Sequence, residues 1–396
     1  MSALSTNTRQ VTLEEILARA EALVPKLRQR AQQTEDLRHV PNETMQDFAD
    51  AGLFRVLQPK HWGGYELPYG RTQTELCNVL GRGCGSSAWV QCVVACHAWC
   101  LAMFPAEAQD AVWSRDSDTL IASAFAFTTG RGRPVEGGYF IEGNWQFSSG
   151  SNACQWIILG TPIYPDVESE GPPTNVLWCL VQRPNWDVVD TWYAAGLKGS
   201  ASNDIHVEGA FVPETFTLNT MECDGRPTPG STLNPGGNYR LPLWSVFPYN
   251  VSTPALGIAR GAIDAYVEYM GSRPDRANLV QRQLRISESA AEVDAAEALW
   301  LSNAATLEHL GASGGPWPAT LQAKLRRDLA FSTMLCTRAV DRLAAALGAH
   351  GMMEDTPVQR AFRDVHGVAN HGANNWDLQA VPYAREVLGL PPVPRR

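Results

Sequence analysis

Charge is scarce in this sequence: 18% of its 396 residues are Asp, Glu, Lys or Arg, and the acidic ones outnumber the basic ones 41 to 32. A net charge of −9 argues against a nucleic-acid groove or an anionic membrane surface as the main partner. A bilayer-length apolar run is missing too. The longest, Ala88 to Phe104, falls slightly short and carries Gln91 and His97, so it reads as a buried helix. The opening MSALSTNTRQVTLEE has no apolar segment after a basic start, hence no signal peptide, and a cytoplasmic chain is expected. No CxxC pair occurs among the nine cysteines, which reads as reduced thiols; Cys92, Cys96 and Cys100 lie four apart beside His97 without a zinc spacing, so no metal is expected. Neither GxGxxG after a strand nor GxxxxGK[ST] is present, which leaves dinucleotide and P-loop folds unsupported. Gly311 to Gly315, GASGG, fits GxSxG by letter only, because it joins two helices where a nucleophile elbow needs a strand before it.

What is present divides into parts. Amphipathic periodicity from Val11 to Arg30, a helix over Asn42 to Ala51 and further helices to Trp113 predict a helical N-terminal domain over 1–117. From Thr119 the texture becomes short β-prone runs between Gly, Pro and Asn turns, predicting a small barrel or sandwich over 118–215. Residues 216–242 read as a long loop. Helical periodicity then holds over 243–396, with long helices at Val251–Gly271, Leu284–Leu310 and Pro318–Leu347 forming an antiparallel bundle. The fold class is therefore α+β, mainly α.

Three stretches carry chemistry. In Gly143 to Gly150, GNWQFSSG, strict alternation puts Trp145, Phe147 and Ser149 on one face, which suits a flat apolar ligand with polar edges; a plain strand end is the alternative. Gly196 to Asp204, GLKGSASND, is a loop feeding a strand that ends Phe211-Val212-Pro213. In Ala361 to Asp377, Phe362, Val365 and Val368 form a helical stripe, and Gly372, Asn374 and Asn375 end it, so His371 sits at a helix end. His366 and His371 are about 140° apart on a helix of ~3.6 residues per turn, not a metal pair. A helix-end cap is the simplest role for His371.

The order of these parts, with TEDLRHVPNETM, LQPKHWGG, CGSSAWV, WQFSSG and RDVHGVANHG, resembles the acyl-CoA dehydrogenase fold, and within it the oxygenase components of two-component flavin-dependent aromatic monooxygenases. The likeness covers nearly the whole chain. It implies reduced flavin (FMNH2 or FADH2) supplied by a separate NAD(P)H-flavin reductase, O2, a flavin C4a-hydroperoxide, a small aromatic substrate of phenolic type, and a homotetramer. At the place of His371 many of the dehydrogenases carry a catalytic glutamate. The resemblance implies His371 as the base that ionises a phenol, with Ser149 serving the flavin oxygen adduct. It further implies His97, Ser123, Trp145 and Phe147 in the pocket, and Ser202, Arg282 and Arg285 as cofactor contacts. Two other classes share the fold: an acyl-CoA dehydrogenase with its base elsewhere, and a non-catalytic flavin-binding protein.

Overall fold

The computed structural model describes residues 10–392 except 167, 168 and 170. The first nine residues, most of the stretch searched for a signal sequence, lie outside that part. Five helices come first: α1 (Leu13–Leu37), α2 (Asn42–Asp50), α3 (Tyr69–Gly81), α4 (Gly85–Leu101) and α5 (Ala106–Trp113). A reciprocal Thr12–Glu15 capping box starts α1, which runs through Pro25 and past the predicted end at Arg30. All 17 residues of α4 are buried. A helix apolar on every side must be surrounded by protein, and this one carries His97 to the middle of the molecule.

Nine strands follow: β1 (Ile121–Ala124), β2 (Ala126–Phe127), β3 (Arg131–Val135), β4 (Gly138–Ser148), β5 (Trp156–Ile163), β6 (Asn175–Gln182), β7 (Asp187–Val189), β8 (Asn203–Pro213) and β9 (Thr217–Asn219). They form one hydrogen-bonded mixed sheet in the order β7-β8-β4-β3-β5-β6-β9, with β1 beside β5 and β2 beside β4. The sandwich or barrel read from the sequence takes this single-sheet form. Strand β9 falls inside the segment read as loop, which otherwise holds short 3-10 turns.

The rest is helical: α6 (Leu243–Val246), α7 (Tyr249–Ser252), α8 (Pro254–Gly271), α9 (Pro274–Ala277), α10 (Val280–Ser313), α11 (Ala319–Leu347), α12 (Pro357–Ala369) and α13 (Trp376–Val387). The 34 residues of α10 span roughly 50 Å at ~1.5 Å each. Helices α8 and α10 also pack on α3 of the N-terminal part, so one hydrophobic core runs through helices and sheet. All nine cysteines are buried free thiols. Among the described residues no helix is long and apolar enough to cross a membrane, and no cluster of three or more His, Cys, Asp or Glu is placed to hold a metal.

Candidate active site

Where α4, the sheet, α7 and the end of α12 converge, a cavity of about 700 Å³ opens, within the ~300–1,000 Å³ typical of small-molecule sites. A second crevice, beside Arg28, Arg82 and Arg360, encloses about 130 Å³, and its arginines are engaged by Asp264, Glu21 and Glu35. The larger cavity is the candidate site. One wall is aromatic: Phe125 stacks on Trp178 at 4.5 Å between ring centres, and Phe247 and Trp244 close around that pair.

The strand β4 reaches the cavity through a bulge. Trp145 pairs with Ile205 and Ser148 with Asn203, so β4 spends one residue more than β8 over this span. The extra residue is accommodated with Phe147 in the left-handed region, φ +66°. Simple alternation fails there, and the expectation for Trp145 is corrected. Its indole is fully buried and donates to the Gly160 carbonyl at 2.9 Å, while Gln146, Phe147 and Ser149 line the cavity. Gly150 then turns the chain at φ +68°, where an added Cβ would come within 2.9 Å of Val90 on α4. That close approach brings Ser149 to Trp89.

Ser149 heads a chain of hydroxyls. Trp89 Nε1–H donates to Ser149 Oγ at 2.9 Å, Ser149 Oγ lies 2.7 Å from Ser202 Oγ, and Ser202 Oγ lies 2.7 Å from Ser200 Oγ. If the chain donates from Ser200 through Ser202, Ser149 accepts twice and its own O–H is left to point into the cavity. Ser202, read from the sequence as a cofactor contact, is placed beside Ser149 on the cavity wall. Arg282 and Arg285 are not. They stand on the first turns of α10, Arg285 paired with Glu288 at 2.7 Å and Arg282 beside Tyr266, and neither lines the cavity. The start of α10 is exposed, with Val280 and Leu284 open on its surface.

The two cavity histidines are held in opposite tautomers. His97 Nδ1 lies 2.7 Å from the Ile121 carbonyl, which can only accept, so Nδ1 carries the proton. Its Nε2 is then a bare lone pair, 2.7 Å from Ser123 Oγ, which donates to it. Burial holds His97 neutral, its pKa lowered to about 4. His371 is reversed: Nδ1 accepts from the Ala373 backbone N–H at 3.2 Å, so the neutral ring bears its proton on Nε2. His371 lines the cavity and keeps much of its surface accessible, while the protein packed around the ring lowers its pKa to about 4. Water entering an open cavity weakens this depression; an apolar ligand strengthens it. His371 ends no helix as a cap for carbonyls, because α12 stops at Ala369 and the imidazole begins the next turn. In this tautomer it offers an N–H, not the lone pair the sequence reading assigned to a base.

Several lining residues escaped the sequence reading, among them Trp89, Phe125, Trp192 and Asn250, whereas Gly196 and Leu197 fall in the GLKGSASND stretch already singled out. Trp89 lay in a string read only for its likeness, CGSSAWV. Asn250 sits in a four-residue helix, too short for any period to show.

The comparisons agree with this geometry. The model for the acyl-CoA dehydrogenase N-terminal domain matches residues 12–116, and that for its C-terminal domain matches residues 249–376. The oxygenase subunit HsaA of a flavin-dependent monooxygenase from Rhodococcus jostii is 35% identical over 95% of this chain and 98% of its own. The oxygenase component of an FADH2-dependent resorcinol hydroxylase from a Rhizobium species is 31% identical over 95% of each. The crystal structure of the HsaA monooxygenase from M. tuberculosis superposes with a TM-score of 0.91 at 35% identity, covering 97% of this chain and 99% of that one. The chain belongs to the acyl-CoA-dehydrogenase-fold family of flavin-dependent monooxygenase oxygenase components.

Proposed function

We propose that the protein hydroxylates a phenolic aromatic compound with reduced flavin and O2, the flavin being supplied by a separate reductase. The observation that carries this reading is the pairing, in one aromatic-walled cavity, of a lone-pair histidine behind a serine with an N–H histidine. The cavity suits a flavin: apolar walls, room for a flat ring system with a second ring beside it, and the Ser149 hydroxyl at one edge. Reduced flavin, when bound, supplies the two electrons that let one atom of O2 enter the ring while the other leaves as water.

The residues then divide the work. A substrate phenol donates to Ser123 Oγ, whose own proton moves to His97 Nε2, while the Ile121 carbonyl holds the ring in place. Moving a proton from a phenol of pKa ~10 to an imidazole held at about 4 costs on the order of 8 kcal/mol at ~1.4 kcal/mol per pKa unit. Ionisation in advance is therefore disfavoured, and the proton moves as attack on the ring makes the hydroxyl acidic. Ser149 O–H and His371 Nε2–H are donors for oxygen atoms at the flavin edge. The apolar walls exclude water that would divert the reaction to H2O2.

No Asp or Glu lines the cavity among the described residues, which disfavours a dehydrogenase needing a carboxylate for a thioester α-proton. Mixing protein with anaerobically reduced FMN or FAD, a phenol and O2, and counting hydroxylated product against H2O2, tests the reading. Product from at least one phenol is expected; dye reduction by an acyl-CoA with no product from any phenol would overturn it.

A homo-oligomer, with a tetramer as the expected form, is part of the same proposal. The last helix exposes Leu378, Val381 and Val387, and the residues after it expose Leu388 and Leu390, an apolar surface that a second copy would cover.

A further inference from the structure

The two donors assigned to the flavin edge belong to different parts of the fold, and a buried carboxyl group that does not line the cavity joins them. Ser149 directly follows β4, whereas His371 comes just after α12. Trp89 lies between: its indole N–H bonds Ser149 Oγ at 2.9 Å, and its ring centre is 6.0 Å from that of His371. Oxygen transfer needs both donors at one set of positions, and a displacement of about 1 Å, even from a change far from the chemistry, can cost ~10²-fold in rate. The spacing therefore depends on what holds α12 to the loop that carries the serines.

That hold passes through Leu197. Its backbone N–H donates to Asp364 Oδ1 on α12 at 2.7 Å, and its carbonyl accepts twice, from Trp192 Nε1–H at 3.0 Å and from the Ser200 N–H at 2.9 Å. Two links run on from Ser200 to the site: its carbonyl accepts from the Gly150 N–H at 2.9 Å, and its hydroxyl begins the chain through Ser202 to Ser149. Trp192 in turn lines the cavity beside Phe147, edge to face at 6.3 Å between ring centres. Arg363 adds one bond from α12 to the Ala195 carbonyl at 3.3 Å, ahead of this turn. Leu197 makes its bonds from the left-handed region, φ +49°, a conformation that a residue with a side chain keeps only where its surroundings enforce it. Asp364 is 2% exposed and lines the small crevice beside Arg360, not the cavity. Any effect it has on the chemistry runs through Leu197.

We propose that Asp364 is a positioning residue for oxygen transfer: by fixing Leu197 it keeps the Ser149 donor and the Trp192 wall in register with His371. This deepens the hydroxylation reading and rests on it. What the role requires is an acceptor at this position, not a charge, since a neutral carboxamide oxygen takes the same N–H.

The test has one arm without flavin and one with it. In hydrogen–deuterium exchange on the full-length, flavin-free protein, Asp364→Ala should speed exchange across 197–202 by about tenfold or more while α4 and α10 keep their protection, and Asp364→Asn should match the unaltered protein. In single turnovers at neutral pH with saturating reduced flavin and a phenol, Asp364→Ala should oxidise flavin at a comparable rate but lose about tenfold in product per flavin, and Asp364→Asn should restore it. Where the Ala variant does not fold, Asp364→Ser takes its place, with a hydroxyl too short to reach Leu197 and a crevice beside it to supply water. Unchanged exchange across 197–202, full coupling despite a loosened loop, or equal loss in the Ala and Asn variants would each overturn the inference and leave the hydroxylation reading standing. If the unaltered protein hydroxylates no phenol, the hydroxylation reading has failed and the inference falls with it.

Discussion

At the residue scale, which nitrogen of each histidine carries the proton decides the chemistry. His97→Ala should oxidise reduced flavin at a comparable rate but release H2O2 in place of product, with partial recovery toward pH 10, where a phenol of pKa ~10 ionises unaided; product and peroxide assays across pH read this directly. Because burial holds His97 at about 4, no acid limb from this group is expected near the ordinary histidine value of ~6.5 in the pH–rate profile. A limb centred there would mean that an imidazole titrates as if in water. Ser149→Ala leaves the Trp89 N–H without its acceptor and should raise the H2O2 share, at a cost of about 1–3 kcal/mol for one buried bond. His97, Ser149 and His371 stood out in the sequence as polar residues in apolar or glycine-rich strings. Their tautomers and partners did not, because these are set by carbonyls and amides distant in the chain: His97 reads Ile121, and Ser149 reads Trp89 and Ser202.

At the element scale, α12 and the loop 194–202 act as one unit. Gly196 packs so closely on α12 that a Cβ would sit 1.8 Å from the Arg363 carbonyl oxygen. Gly196→Ala should destabilise the protein by about 1–3 kcal/mol, the usual range for overpacking, and denaturant midpoints would show it. Beside it, buried Asp364 accepts from the Leu197 N–H at 2.7 Å, and Leu197 is itself left-handed at φ +49°. Burial raises the Asp364 pKa from 3.8 to about 6, with Glu35 adding to the rise and Arg363 and Arg360 opposing it. The folded state thus holds this proton more tightly than the unfolded chain does. Stability from this group is greatest below about pH 4 and is lost as pH rises through 6, by about 3 kcal/mol at ~1.4 kcal/mol per pKa unit. Asp364→Asn keeps the acceptor without the charge, so its stability relative to the unaltered protein should improve from pH 4 to pH 7 in urea titrations; a constant difference would contradict this. Helices were legible because 3.6-residue periodicity is local. The β4 bulge was not, since Phe147 differs from an ordinary strand residue only in its φ, and that displaced Trp145 from its expected face.

At the scale of the whole molecule, the order of helical part, sheet and long-helix bundle was readable from texture alone, and the strings within it pointed to the family. The cavity was not readable, because it is assembled from α4, β1, β4, α7 and α12, whose residues are separated by up to about two-thirds of the chain. A reductase-fed enzyme must take up reduced flavin and release oxidised flavin in every cycle, so the purified protein should be nearly colourless after gel filtration. A stoichiometric yellow cofactor surviving that step would favour the dehydrogenase class. Light scattering on the same column checks the oligomer: a species larger than the 43.3 kDa chain is expected, and replacing Leu378 and Val381 by glutamate should shift it downward.

The division of labour between the histidines is tested most directly by counting product formed per reduced flavin oxidised, in a single turnover at neutral pH, for His97→Gln and His371→Gln. Glutamine offers an N–H donor but cannot take up a proton in this range. His371→Gln should therefore keep most of the coupling, well above His371→Ala, whereas His97→Gln should lose tenfold or more and yield H2O2. If His97→Gln stays coupled while His371→Gln releases peroxide, the proton leaves through His371, and the assignment made from the Ile121 and Ala373 contacts is wrong.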